Sequence, residues 1–379
     1  MQIQPEPDAR QPSAILSIEQ KVKTLQTENY PEKFDLSRIV APLLMWYSQN
    51  ARVLPWRENI DPYRVWVSEI MLQQTQVDTV IPYYNRFLQQ LPTVKALAEV
   101  DEAQLLKLWE GLGYYSRVRN LQKAAKMIIQ KHGGCFPTEP ADILALPGIG
   151  AYTAGAIASI CFEQPTPAVD GNVLRVITRL TGSDADIALP QVKNNITAML
   201  RAIYPDNRRG DFTQSLMELG ATVCLPNGAP KCGDCPVADY CHACADGTQR
   251  TLPVKTKKKP RKQEEKTVFL LYCEDRLALR RREASGLLGG LWELPNTEGC
   301  LSVEEAVHLL REWGFGDVYD GDLKPGRRKK HIFTHIEWQM TSFIVACGNM
   351  PETFVWVTKA QLEADITIPS AFSPFLEGI

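Results

Sequence analysis

Two carboxylates occupy positions where more than solvation is expected of them. Glu69 lies within Tyr63-Arg64-Val65-Trp66-Val67-Ser68-Glu69-Ile70-Met71-Leu72. On a helix its neighbours three and four positions away include Val65, Trp66 and Leu72. Burial on such an apolar face disfavours the charged form and raises the pKa. A raised pKa keeps a proton available near neutral pH, as general acid catalysis requires. A buried glutamate bonded to backbone or to an arginine fits the same pattern. Asp170 lies in Pro167-Ala168-Val169-Asp170-Gly171-Asn172-Val173, just before an amphipathic helical stretch. Aspartate is a good N-cap there. Two carboxylates in different environments are also what glycosidic bond cleavage needs. One protonates the leaving group, and the other stabilises the oxocarbenium-like cation, with or without covalent capture.

Thiols form the second concentration of chemistry. The arrangement is Cys224-x7-Cys232-x2-Cys235-x5-Cys241, with Cys244 following after two more residues. This spacing is too tight for the long intervals between zinc-finger ligand pairs. It suits one compact iron–sulfur cluster, a zinc knuckle or buried structural cysteines. A third feature is Leu146-Pro147-Gly148-Ile149-Gly150. Its glycines permit a tight turn that exposes successive backbone N–H groups. The N-terminus of the following helix points the same way, so phosphate can bind without a basic side chain. A plain turn between two helices is the simpler alternative.

The elements that must position these residues follow from periodicity. From Phe34 to about Ala221 the pattern is helical with short Gly- and Pro-marked joints. Helices are expected over Phe34–Gln49, Tyr63–Gln76, Val80–Gln90, Glu102–Trp109, Arg119–His132 and Tyr152–Phe162. After Lys266 the texture changes. Thr267–Cys273, Arg276–Arg282, Thr334–Ala346 and Phe354–Val357 read as strands, and Ser302–Trp313 reads as a helix. The fold class is therefore multidomain, an all-α domain followed by an α+β domain. Residues 1–30 are expected to be a mostly disordered tail and 31–249 the helical domain. Arg250–Lys266 carries eight Lys/Arg against two acids, a net charge of +6, and is expected to be a basic linker. Residues 267–379 form the C-terminal domain.

The 379 residues have a formal net charge of −2, so any nucleic-acid partner must be met by local patches. The composition, 44% hydrophobic and 23% charged, excludes a mostly disordered, collagen-like or coiled-coil chain. No stretch reads as a membrane span or signal peptide. A cytoplasmic, reducing location is expected (nucleoid-associated if bacterial), where ten cysteines are not a disulfide framework.

Several strings together resemble the MutY-type adenine DNA glycosylases. They are Leu54-Pro55-Trp56-Arg57, Ser68-Glu69-Ile70-Met71-Leu72-Gln73-Gln74-Thr75-Gln76-Val77 and Gly111-Leu112-Gly113-Tyr114-Tyr115-Ser116-Arg117. The Leu146–Gly150 turn and Val169-Asp170-Gly171-Asn172-Val173 belong to the same pattern. The resemblance is close over residues 34–250 and looser over 267–379. It implies a helix-hairpin-helix glycosylase that removes adenine mispaired with 8-oxoguanine or guanine. Glu69 would protonate adenine N7, and Asp170 would stabilise or trap the sugar cation before water completes hydrolysis. Tyr152 and Asn172 match supporting positions. Trp56, Arg57, Leu72 and Glu218 match the adenine pocket. Gln74 matches a residue that inserts into the duplex, and Tyr114 one that wedges beside the opposite base. Both a planar amide and an aromatic ring can replace lost stacking, which base extrusion demands. Leu146, Gly148 and Gly150 form the hairpin that meets DNA. Cys224, Cys232, Cys235 and Cys241 would hold one 4Fe-4S cluster. The family spaces the first two cysteines by six residues and this chain by seven, Leu225 to Lys231, so Cys244 is a candidate substitute ligand.

The C-terminal domain resembles the Nudix-like reader of 8-oxoguanine, with Phe333, Thr334 and His335 at the recognition loop. Gly286–Pro295 begins like a Nudix box. Aligning its closing glycine with Gly314 puts Val307-His308 and Arg311-Glu312 where a working box has carboxylates. One surviving Glu312 holds a divalent metal poorly, so a binding module without pyrophosphate hydrolysis is expected. Arg327-Arg328-Lys329-Lys330 is a candidate phosphate contact. The endonuclease III branch has a Schiff-base lysine where this chain has Tyr152, and a phenol cannot form that imine. A monofunctional glycosylase, acting on double-stranded DNA as a monomer, is the expectation. The alternatives are an endonuclease III-like lyase on oxidised pyrimidines, a catalytically silent binder of oxidised DNA, and a Nudix hydrolase.

Overall fold

The computed structural model describes residues 35–256 and 260–377. The expected N-terminal tail lies outside the described residues, as does the middle of the basic linker. The helical part contains α1 (Val40–Asn50), α2 (Pro62–Leu72), α3 (Val77–Gln90), α4 (Ser116–His132), α5 (Ala151–Phe162), α6 (Gly171–Thr181) and α7 (Arg209–Thr222), with shorter helices between them. The chain divides into two compact units. Among the described residues, one comprises 35–53 with Thr138–Leu144 and Ile149–Thr256. The other comprises Leu54–Pro137, Ala145–Gly148 and 260–377.

In the first unit α7 is the hub, packed by α1, α5 and α6. Leu43, Ile177, Phe212 and Leu216 lie in its core. Close approach of α6 to α7 depends on Gly220. A Cβ there would meet the Cβ of Asn172 at 2.6 Å. Helix α6 is not simply amphipathic, because every residue from Val173 to Thr181 is buried. Its polar members Arg175 and Arg179 point into the fold and are hydrogen-bonded there, as buried charges must be.

In the second unit α2 starts on an Asp61 cap, whose side chain accepts from Arg64 N, with Pro62 at its first turn. Trp66 is fully buried and meets Tyr63 and Phe136 edge-to-face, with centroids 6.3 and 5.5 Å away. The helix expected to reach Gln76 stops at Leu72. The physical reason is non-local. Arg117 Nη1 donates to the carbonyls of Ile70, Met71 and Gln73 at 2.8, 3.0 and 2.7 Å, and Gln74 takes a left-handed φ of 59°.

The C-terminal strands are β1 (Lys262–Cys273), β2 (Arg276–Arg281), β3 (Trp292–Glu293), β4 (Asn296–Glu298), β5 (Leu323–Pro325), β6 (Lys329–Ile332), β7 (Ile336–Ala346) and β8 (Val355–Thr358). They form one mixed sheet. β1 runs parallel to β7 from the Lys262–Ile336 pair to the Tyr272–Ala346 pair, and its other partners are antiparallel. Alternation along β1 sends Val268 and Leu270 to one core and Phe269 and Leu271 to the other, so both faces are covered. Helix α8 (Val303–Glu312) covers the second face, entered through a Ser302–Glu305 capping box. β1 begins inside the segment expected to be linker. Leu252, earlier in that segment, is buried and accepts from Arg179 Nε at 3.0 Å. Among the described residues no helix is long and apolar enough to cross a membrane.

Candidate active site and DNA-facing residues

Asp170 is the N-cap of α6. Its Oδ1 accepts from Val173 N at 2.8 Å, and its Oδ2 accepts from Asn172 Nδ2 at 2.9 Å. Burial pushes the Asp170 carboxyl above the usual aspartate range, against the opposing effect of those hydrogen bonds. Arg175 Nη2 donates to Asn172 Oδ1 at 2.9 Å and to Gly220 O at 2.8 Å. Arg175 Nε donates to Cys224 O at 2.8 Å. The expected pair Asp170 and Asn172 is therefore held as one constellation and tied to the cysteine loop. The N-cap role and a site role are compatible, because capping uses one carboxylate oxygen.

Glu218 was expected to line a base pocket. Its side chain is fully buried and bound by Arg52, Nε to Oε1 at 2.5 Å and Nη2 to Oε2 at 3.1 Å. Tyr152 is half-buried, with its hydroxyl 3.6 Å from Met217 Sδ.

Cys224, Cys232, Cys235, Cys241 and Cys244 line one cavity together with Arg179 and Gln249. The seven-residue spacer between the first two cysteines is closed at its base, where Lys231 N donates to Val223 O at 3.0 Å. The extra residue is thus absorbed in the loop while Cys224 and Cys232 reach the same cavity. Arg179 Nη1 donates to Cys224 Sγ at 3.2 Å. Burial and the neighbouring thiols push Cys235 up to about 12 and Cys241 to about 11. Such thiols ionise readily only beside positive charge, so the donor set suits a cationic metal centre. Among the described residues no three His, Cys, Asp or Glu side chains close around a single metal ion.

In the other unit Glu69 is 6% exposed on α2, among Val65, Trp66 and Ile70. Leu72 ends that helix. Trp56 is buried edge-to-face on Tyr84, centroids 5.3 Å apart, and Arg57 follows it on the short helix Pro55–Glu58. Leu146 is buried, and Gly148 has φ 78° with Asn120 Cβ 2.7 Å from any added Cβ. Gly150, in the first unit, needs no special torsion, since its φ is −97°. An added Cβ there meets nothing within 4 Å.

Gln74 and Tyr114 are exposed and left-handed, with φ 59° and 46°. Phe333, Thr334 and His335 form the loop between β6 and β7. Phe333 packs edge-to-face on His331 and Trp338, at 4.5 and 4.8 Å between centroids. The Tyr114 hydroxyl lies 3.1 Å from Thr334 Oγ1. These residues line a cavity of about 610 Å³ with Gly286–Gly289, Arg119, Asn120 and Lys123. In the degenerate Nudix segment, Val307 is buried and His308 pairs with Glu312 at 3.4 Å on the exposed face of α8.

Arg52, Arg117 and Arg175 were missed from sequence. Their partners are mainly backbone carbonyls or distant carboxylates, which leave no local pattern.

Residues 67–201 match the HhH-GPD superfamily base excision DNA repair protein family, and residues 267–378 match the NUDIX domain family. The chain is 34% identical to the adenine DNA glycosylase of Homo sapiens, over 93% of this chain and 76% of the relative. It is 38% identical to that of Rattus norvegicus, over 89% and 74%. A solved thermostable thymine-DNA glycosylase is 26% identical with a TM-score of 0.50, covering 55% of this chain and 96% of its own.

Proposed function

Because the chain belongs to the adenine DNA glycosylases, base-excision-repair enzymes that act on N-glycosyl bonds, we propose that it removes adenine paired with 8-oxoguanine or guanine in double-stranded DNA. The organisation we adopt is a helix-hairpin-helix domain over 31–249, a basic connection over 250–266 and a reader over 267–379.

The adenosine is extruded from the stack, and Gln74 and Tyr114 occupy the space left in the duplex. Trp56, Arg57 and Leu72 contact the extruded base, and Glu218, held by Arg52, is assigned to the same recognition step. Glu69 gives its proton to adenine N7. The C1′–N9 bond then breaks, and its electron pair leaves with the base. The carboxylate of Asp170, oriented by Asn172, stabilises or captures the sugar cation. Water adds at C1′ and yields its proton to the ionised Glu69, restoring the acid. Tyr152 supports this site. As a phenol it forms no imine, so the product is an intact abasic strand. Leu146, Gly148 and Gly150 bring backbone N–H groups to phosphate. Phe333, Thr334 and His335 read 8-oxoguanine, with the Thr334 hydroxyl as donor and acceptor.

Cys224, Cys232, Cys235 and Cys241 are the residues that would hold a 4Fe-4S cluster. Bound there, the cluster would neutralise part of the charge of the four thiolates and order the 224–244 loop. The enzyme works as a monomer.

The observation that carries the reading is Glu69, a carboxyl 6% exposed on an apolar helix face. Single-turnover release of adenine from duplexes with A opposite 8-oxoguanine, G or T tests it. Release by wild type that is lost in Glu69→Gln, with duplex binding retained, is the expected result. Binding without release by wild type would leave a silent binder of oxidised DNA.

A further inference from the structure

Gln74 and Tyr114 come from segments about forty residues apart, yet they share one unusual trait. Each is a non-glycine residue in the left-handed region, and each is exposed. That conformation is unfavourable for a residue with a Cβ and persists only where surroundings enforce it. The same side chain binds the backbone just before both. Arg117, in the first turn of α4, sends Nη1 to the carbonyls of Ile70, Met71 and Gln73. Its Nη2 donates to Leu112 O at 3.0 Å and Gly113 O at 3.3 Å. The acceptors therefore end immediately before Gln74 on one side and immediately before Tyr114 on the other. The guanidinium lies 5.3 Å from the Trp109 ring centroid and 5.6 Å from that of Tyr114.

We propose that Arg117 is a positioning residue for base extrusion, a single guanidinium that sets Gln74 and Tyr114 as one preorganised two-pronged wedge. It touches no reacting atom and acts through the two backbones. Arginine is required because its planar fork spans two loops with separate nitrogens. A lysine ammonium offers three donors from one point. A single ammonium cannot serve the carbonyls of both loops from one point, so a lysine leaves the turn after α2 freer to relax. A flexible wedge must be ordered at the moment the duplex is opened, which slows extrusion even where DNA is still gripped.

This proposal rests on the reading of Gln74 and Tyr114 as the residues that enter the duplex. The test uses the full chain and a duplex with 2′-fluoroadenosine, which resists cleavage, opposite 8-oxoguanine, and with 2-aminopurine beside it. Stopped-flow fluorescence of 2-aminopurine reports unstacking, and a binding titration reports affinity. The variants are Arg117→Lys, Gln74→Ala/Tyr114→Ala, and the three substitutions combined. Arg117→Lys keeps the charge and most of the stem. It is expected to slow unstacking about tenfold and to change Kd by less than about threefold. In the Gln74→Ala/Tyr114→Ala background, adding Arg117→Lys should slow unstacking no further. A full tenfold slowing in that background would show a merely structural role and overturn the proposal. If Gln74→Ala/Tyr114→Ala itself leaves unstacking unchanged, the wedge reading fails and takes the proposal with it. Melting curves accompany each variant. If Arg117→Lys is largely unfolded at the assay temperature, Arg117 is a clamp of the fold and the proposal is likewise overturned.

Discussion

Asp170 is an observed N-cap and, under the proposed mechanism, also the cation stabiliser, two duties whose electrostatic demands conflict. As an N-cap it must accept a hydrogen bond, and as a cation stabiliser it must be ionised. Burial opposes ionisation and lifts its pKa above the ordinary aspartate value. The native state therefore binds this proton more readily than the unfolded chain does. The stabilising contribution is present below the unfolded pKa and is lost as pH rises through the folded one. Asp170→Asn keeps a side-chain acceptor for Val173 N and removes the buried charge. It also replaces the acceptor of Asn172 Nδ2 by an amide nitrogen, so the readout is the pH dependence: its Tm relative to wild type should be highest at pH 8 and fall as pH drops through the carboxyl's titration. Adenine release should fall by about 10²–10³. Thermal melts across pH, beside single-turnover rates, check both halves. A Tm well below wild type at pH 8 would show that the carboxylate is needed for folding. Glu69→Gln removes only a proton donor, and the loss expected is about 10²–10⁴ in rate. A rate within tenfold of wild type would remove Glu69 as the acid.

At the scale of elements, the hairpin turn separates two kinds of glycine. Gly148 is left-handed and pressed on Asn120, so Gly148→Ala should cost about 1–3 kcal/mol of stability. Gly150 has an unexceptional torsion and open space around it. Gly150→Ala should leave the melting temperature within about 2 °C of wild type, as expected of a substitution worth under 0.5 kcal/mol. It should nonetheless weaken duplex binding severalfold, because a methyl group keeps a phosphate from the α5 N–H groups. Equal affinity for Gly150→Ala and wild type would deny that turn its phosphate. The close packing of α6 on α7 has the same logic. Gly220 is bare so that Asn172 can lie against it, which is how a helix–helix contact fixes the residue that orients Asp170.

At the scale of the molecule, the second compact unit joins the Tyr114 loop to the C-terminal sheet domain. Arg119 Nη1 donates to Gly289 O at 2.7 Å, and Ile368 N donates to Glu110 Oε1 at 2.8 Å. Tyr114 and Thr334 meet within it. The Tyr114 loop and the Phe333–His335 loop are thus parts of one compact unit. Thr334→Ala should reduce the preference for 8-oxoguanine over guanine about tenfold, the worth of one hydrogen bond, while Thr334→Ser retains it. Unchanged selectivity in Thr334→Ala, measured as the ratio of single-turnover rates on the two duplexes, would remove the hydroxyl from the reader. In the first unit the cysteine cavity is tied to Asn172 through Arg175. Cys235→Ser should lower bound iron and sulfide and weaken DNA binding together, measured by metal analysis and duplex titration. Iron content equal to that of wild type would exclude Cys235 as a ligand.

Much of this was legible in the chain alone. The helical and β-rich halves follow from hydrophobic periodicity, and α3, α4, α5 and α8 fall within three residues of their expected bounds, whereas α1 starts six residues late, after a 3-10 turn. Glu69, Asp170 and the cysteines stand out as candidates by residue type and spacing. Only the tertiary structure decided where α2 stops, why Gln74 and Tyr114 are left-handed, and what Glu218 and Asn172 touch. The reason is common to all of these. Arg117 binds carbonyls as far back as Ile70, Arg52 reaches Glu218, and Arg175 reaches Cys224. A backbone carbonyl is the same acceptor in every residue. Which arginine it meets is written in no local pattern and is settled only when the packed helices bring the two together.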